Sequence, residues 1–205
     1  MKKIALVMLT ALLLIGGCAD DDDNSPPPLP KWPDDYPITG DSVAVMTVAQ
    51  DSTGAFGTII FEFLPDRAPN HVRNFKWLAN LGFYDSLTFH RVIENFIIQG
   101  GDPHGDGTGG PGWTVDAEFN YVEHVPGILS MARGTDPNSA GSQFFICLNT
   151  LSHLNHQYTA FGRVISGMDV VTRIAEVPVG GSQNSTPLHK VYMTSVSVAA
   201  RPDSL

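Results

Sequence analysis

The sequence predicts a mainly β domain: a closed, eight-stranded antiparallel barrel capped by two helices. Three observations carry that expectation. From residue 41 onward, short runs rich in Val, Ile and Phe alternate with turn residues, and only two segments have helical spacing. A load of 20 Gly and 15 Pro supplies the turns of a loop-rich β protein. No internal repeat is visible, and 205 residues suffice for one well-cored domain but not for two comfortable ones.

The elements follow in order. Residues 43–48 suit a strand, and Asp51 to Gly54 supply a turn. In the next strand, 57–63, Ile59, Phe61 and Phe63 share one face while Thr58, Ile60 and Glu62 share the other. Residues 69–81 carry Val72, Phe75 and Leu78/Ala79 at helical spacing, with Pro69 near the start and Gly82 placed to stop the helix. Strands are expected at 87–93, 96–99, 127–132, 144–147 and 161–165. A short helix at 168–175 and a last strand at 190–198 complete the set.

Ahead of this body lies a different kind of chain. Lys2 and Lys3 precede residues 4–15, apolar but for Thr10, and Gly16-Gly17-Cys18 follow. That pattern reads as an export signal over residues 1–17, since the apolar run is too short for a spanning helix of about 20 residues. Ile15-Gly16-Gly17-Cys18 resembles a bacterial lipobox, which makes Cys18 the expected lipidated N-terminus; an ordinary cleaved signal is the alternative. Residues 18–40 hold Asp20 to Asp23 and Pro26-Pro27-Pro28 with almost no apolar period, and read as a solvated acidic tether. The domain proper is then 41–205, standing off a membrane that it touches through its lipid alone. A calcium site in the aspartate run would need converging ligands, and a spacer is the simpler reading. The expected location is the bacterial cell envelope, lipid-anchored at the periplasmic face or the cell surface.

Twelve basic against 21 acidic side chains give a net charge of −9, which works against neutralising a phosphate backbone, so nucleic acid is not an expected partner. Cys18 and Cys147 are the only cysteines, in contexts too different to pair, and neither a disulfide framework nor a cysteine zinc site is available.

Two stretches carry the chemistry: Phe89-His90-Arg91-Val92-Ile93-Glu94-Asn95-Phe96-Ile97-Ile98-Gln99-Gly100-Gly101-Asp102-Pro103, and Leu129-Ser130-Met131-Ala132 leading to Gly141-Ser142-Gln143-Phe144-Phe145-Ile146. The first sets Arg91 and Gln99 inside apolar strand sequence, where a polar group must find a partner or face a groove. Strand alternation leaves open whether Arg91, Ile93 and Phe96 share a face, because Glu94-Asn95 interrupts the period.

These residues closely resemble the cyclophilin family of peptidyl-prolyl cis/trans isomerases. The resemblance runs from about Val43 to Val198 and includes Gly82-Phe83-Tyr84-Asp85 and Tyr158-Thr159-Ala160-Phe161-Gly162-Arg163-Val164. It implies an isomerase (rotamase) of X–Pro peptide bonds with its groove on the outside of one sheet face, needing neither cofactor nor metal. The implied partners are proline-containing polypeptides, here exported chains not yet fully folded. By the same resemblance Arg91 is the catalytic arginine and Gln99 orients it, while Phe96, Ile97, Phe145 and Leu154 form the pocket for the proline ring, Ile97 replacing a methionine. Gln143 and Tyr158 line the groove, Ala132 and Arg133 flank the residue before proline, and His90 lies at the margin. Arg133 stands where an asparagine is common, so the resemblance carries over to its main chain more than to its side chain. His153 stands where many relatives carry the tryptophan that contacts cyclosporin, which implies weak inhibition by that compound.

Other motifs read more plainly. Gly105-Asp106-Gly107-Thr108-Gly109-Gly110 satisfies GxGxxG, but Pro111-Gly112 follows instead of a helix and Asp106 opposes phosphate; it reads as a flexible rim of the groove. His153 and His156 lack further ligands for a metal, Ser142 has no nucleophile elbow, and Cys147 reads as packed. The rival functions are a proline-peptide binding module or chaperone with little turnover, and a structural lipoprotein with a degenerate groove. Arg91, Phe96 and Gln99 together favour the enzyme.

Overall fold

A computed structural model describes residues 29–33, 35–38, 41–51 and 54–202; the expected export signal, Cys18 and the aspartate run lie outside the described residues. Strand β1 (Ser42–Gln50) and β2 (Gly54–Phe63) pair antiparallel, and α1 (Pro69–Asn80) follows. Next come β3 (Arg91–Ile93), β4 (Ile97–Gly100), β5 (Ile128–Met131), β6 (Phe144–Cys147) and β7 (Ala160–Ser166), then α2 (Met168–Ala175). A two-residue hairpin of β8 (Val179–Gly180) and β9 (Thr186–Pro187) precedes the long β10 (Val191–Ala200).

Eight strands form one antiparallel sheet in the order β10-β1-β2-β7-β5-β6-β4-β3. The closed barrel expected from the sequence is corrected to an open, strongly curled half-barrel, because β10 and β3 do not pair with each other. The expected strand 87–93 is the reason. Ser86 is left-handed at φ 68°, and residues 86–89 cross between the two edges instead of continuing either one. Phe89 N–H donates to the Val191 carbonyl at 2.9 Å, while Thr88 makes single bridges to Tyr192 and to Asp102.

Alternation sorts the sheet's side chains onto two faces. Val92, Ile98, Leu129, Met131, Phe144 and Ile146 point into the main core with Ile59, Phe61 and Phe161. There Phe75 of α1 stacks on Tyr84 at 4.6 Å and meets Phe144 edge-on at 5.6 Å. Ile97, Ile128, Phe145, Cys147 and Ala160 face the other way and build a second, smaller cluster with Leu151 and Leu154.

Helix α1 has Pro69 in its first turn and no cap from Ala68. Glu118, from a distant loop, accepts the Asn70 and His71 amides at 3.0 Å each, satisfying donors that a helix start leaves open. The outer stripe of α1 is also occupied. Arg73 Nε donates to the Tyr36 carbonyl at 3.2 Å, Lys76 Nζ to Ile38 at 3.0 Å and Trp77 Nε1 to Pro30 at 2.7 Å. Residues 29–33 and 35–38 therefore form a strap docked along the helix, where the sequence suggested a solvated tether over 18–40. Low apolar periodicity concealed it, because the strap binds through its carbonyls and rings rather than through an apolar face.

Candidate active site

The second cluster floors a groove, and pairing register decides what stands on that floor. Arg91 is paired with Gln99, Gln99 with Phe145, Phe145 with Ser130, and Ser130 with Ala160. One rung across five strands thus presents a cation, an amide and an aromatic ring side by side on the outer face. The question left open by alternation is settled by Asn95, left-handed at φ 58°, which turns the chain between Ile93 and Ile97. Phe96 sits in that turn beside the groove, its amide bonded to the Ile93 carbonyl at 3.0 Å.

A cavity of about 530 Å³ is lined by His90, Arg91, Phe96, Ile97, Gln99, Ala132, Arg133, Phe145, Leu154 and Tyr158, together with Gly105, Asp106, Gly107 and the tip of the β8–β9 hairpin. A second, of about 640 Å³, shares Gln99, Gly107, Ala132 and Arg133 and adds Gln143, Trp113 and residues 108–112. Of the residues singled out in the sequence, ten line the first cavity and Gln143 lines the second. His153 lines neither; its exposed ring stacks on Phe96 at 5.9 Å, nearly parallel at 10°. Cys18 lies outside the described residues. The hairpin residues Ser182, Gln183, Ser185 and Thr186 were not anticipated, since a polar loop far along the chain carries no mark of where it folds back.

A directed chain of hydrogen bonds orients the polar wall. Arg91 Nη1 donates to Gln99 Oε1 at 3.2 Å, so the Gln99 amide nitrogen must point away, and it donates to Gln143 Oε1 at 3.0 Å. Gln143 Nε2 in turn donates to the Gly107 and Gly109 carbonyls, both at 2.9 Å. Each amide's orientation is fixed by the one before it, starting from a group that can only donate. Among the described residues that Gln99 bond is the one that engages the Arg91 guanidinium, which has five donors. Arg133 differs. Its guanidinium donates to the carbonyls of Gln157, Gly134 and Thr135 and lies over the Tyr158 ring at 4.9 Å.

The glycine-rich rim is anchored, not loose as the sequence suggested. Asp102, 1% exposed, accepts the amides of His104 at 2.9 Å, Asp106 at 3.0 Å and Gly107 at 2.5 Å. A Cβ added at Gly109 would lie 2.1 Å from the Asp102 carboxylate, so the loop closes over its anchor only where no side chain intervenes. Asp102, His104 and Asp106 lie close enough to share an ion, each offering an atom within 4.8 Å of the others, but the carboxylates already serve the loop's own amides and Thr108.

Burial lowers the pKa of two histidines. Burial pushes the His90 ring below its usual value, the Asp102 and Asp106 charges partly opposing this and the Arg91 charge adding to it. Both of its ring nitrogens are buried without a hydrogen-bond partner among the described residues. His124, missed in the sequence, braces the floor: its ring stacks on Phe145 at 6.1 Å. Burial lowers its pKa first, the Asn155 bond opposing. Asn155 Oδ1 accepts the His124 main-chain amide at 2.9 Å and the ring Nδ1–H at 3.0 Å, which leaves Nε2 to accept from the Ser130 hydroxyl at 3.0 Å. Cys147, pushed up to about 12 by burial, is a packing residue.

The groove thus sets an always-charged donor, Arg91, beside an apolar cleft. Comparison with known proteins identifies the family. The family described as "Cyclophilin type peptidyl-prolyl cis-trans isomerase/CLD" matches residues 45–198. Peptidyl-prolyl cis-trans isomerase B of Bacillus subtilis is 53% identical over 113 residues, covering 54% of this chain and 78% of that one. A Helicobacter pylori peptidyl-prolyl cis-trans isomerase is 42% identical over 146 residues, covering 69% and 88%. A solved Cryptosporidium parvum cyclophilin, crystallised in the presence of the dipeptide Ala-Pro, superposes with a TM-score of 0.69 at 31% identity, covering 77% of this chain and 99% of that one. The chain belongs to the cyclophilin-type peptidyl-prolyl cis-trans isomerases.

Proposed function

We propose that this isomerase works by aiming the Arg91 guanidinium at the proline nitrogen of a bound chain, and that its clients are exported polypeptides at the cell envelope. The X–Pro bond resists rotation by about 18–20 kcal/mol because the nitrogen lone pair is delocalised into the carbonyl. Halfway through rotation that lone pair is localised on a pyramidal nitrogen. A donor placed to meet it binds the twisted state better than either planar one, which is the requirement for catalysis.

Family resemblance supplies the parts of the remaining residues, and their shared cavities support them. Phe96, Ile97, Phe145 and Leu154 receive the proline ring, Gln99 holds the guanidinium, and the Arg133 main chain holds the peptide beside Ala132. Tyr158 and Gln143 extend the walls. A rate gain of about 10⁵ needs about 7 kcal/mol of transition-state stabilisation, and one well-placed donor contributes about 3–4 kcal/mol. Anchoring the peptide on both sides and withdrawing water from the polar planar amide supply the rest.

The observation that supports this reading is the Arg91–Gln99–Phe145 rung, along which a guanidinium, an amide and an aromatic ring share one face of the sheet. Exchange measurements on a short X–Pro peptide with wild type and Arg91→Ala test it. Equal catalysis by both would remove the arginine from the mechanism, whereas binding without turnover by the wild type would make the groove a peptide-binding module. The envelope assignment rests on the Lys2-Lys3 apolar leader and Cys18. Mass spectrometry of the mature protein should find a diacylated Cys18 at the N-terminus, and an unmodified start at another residue would remove the anchor.

A further inference from the structure

The docked strap meets the wall of the groove through Trp32. Trp32 meets Trp113 edge-on, ring centroids 6.1 Å apart at 73°, and the Lys31 ammonium lies over the Trp32 ring at 4.7 Å. Trp113 is a wall of the second cavity. It also packs against the main core, and its Nε1 donates to Asn74 Oδ1 at 2.8 Å, while Asn74 Nδ2 donates to the Gly141 carbonyl, itself on that cavity, at 2.7 Å. One side of the indole is thus fixed by α1 and the other by the strap.

We propose that Trp32 is a positioning residue for substrate selection: by packing against Trp113 it fixes the wall of the second cavity and so sets the affinity for proline-containing chains long enough to occupy both cavities. The proposal rests on the isomerase reading above and adds to it a role for a segment ahead of the half-barrel. A chain seated in the first cavity alone does not meet Trp113, so its binding is indifferent to Trp32. A chain spanning both lies against an indole that Trp32 packs on from its other side. The strap itself cannot slide freely, because the Trp77, Arg73 and Lys76 bonds hold it in register on α1.

The test compares wild type, Trp32→Ala and Trp32→Phe on a proline-containing tetrapeptide and on a peptide of about ten residues, roughly 30 Å when extended. Trp32→Ala should raise KM for the long peptide about threefold to tenfold, the worth of one aromatic pair, with kcat unchanged. The tetrapeptide's KM and kcat should stay within about 1.5-fold, and Trp32→Phe should restore most of the long-peptide affinity. If both peptides weaken together, Trp32 is only a stability contact and the proposal falls; it falls equally if neither changes. Should Trp32→Ala fail to fold, Trp32→Leu carries the same comparison. A wild type inert on the tetrapeptide would overturn the isomerase reading instead, so the two failures are distinct.

Discussion

Phe144 and Phe145 are consecutive on β6, both buried, and they belong to different halves of the molecule. Phe144 packs inward against Phe75, Tyr84 and Phe89, in a cluster where rings meet rings and polar atoms are few. Phe145 faces outward, sharing its rung with Gln99 and its surroundings with Tyr158 and His124. The inner face is finished within the chain. The outer one is a partial core left open as a groove, and the proposed function fills it with the substrate's proline ring.

That contrast can be broken by experiment. Phe144→Ala should destabilise the fold by about 3–5 kcal/mol, read from urea unfolding, with the surviving folded fraction still active. Equal loss of stability and specific activity would erase the distinction between faces. Arg91→Ala should do the reverse, lowering kcat/KM about 10²–10³-fold while the melting temperature and the Kd for a proline peptide hold. Gln99→Ala removes the bond that holds the guanidinium and should lower kcat about tenfold, at the low end for a hydrogen bond to a charged group; a fall in peptide affinity alone would show that Gln99 serves binding, not Arg91. The smallest effect is in pH. His90 and His124 have folded pKa values below the ordinary 6.5, so the unfolded chain binds their protons first. Their stabilising contribution is complete above about pH 6.5 and declines as pH falls below it toward their folded values. Urea titrations should follow that direction between pH 7 and pH 5, and removing His124 as His124→Gln should flatten the slope.

Much of the inner face was legible in the sequence. Ile59, Phe61 and Phe63 alternate as expected, and α1 ends one residue before its anticipated limit, at Asn80 rather than at Leu81. Alternation and capping are local, so one chain suffices to read them. The outer face was less legible because its geometry is set by pairing at long sequence distance. Nothing near Gln99 says that Phe145 will lie opposite, and nothing in Val122 to Val125 says that His124 will support that ring. The residues there were named through family resemblance, and register supplies the reason they meet. Resemblance was silent about residues 29–38. The signal was present in α1 itself: Arg73, Trp77 and Asn80 recur at helical spacing on its outer side, a stripe of donors that the strap's carbonyls and the Tyr36 hydroxyl accept.

Asp102 gathers three amides of the glycine-rich rim onto one buried carboxylate. The rim therefore loses its conformational entropy when the protein folds, and arriving chains do not have to supply it. Capture and release can then proceed without a loop-closing step, at rates governed by encounter and by how well each passing proline fits. For a cyclophilin-type isomerase, whose family acts on proline-containing peptides, such a mouth stands built before the peptide arrives.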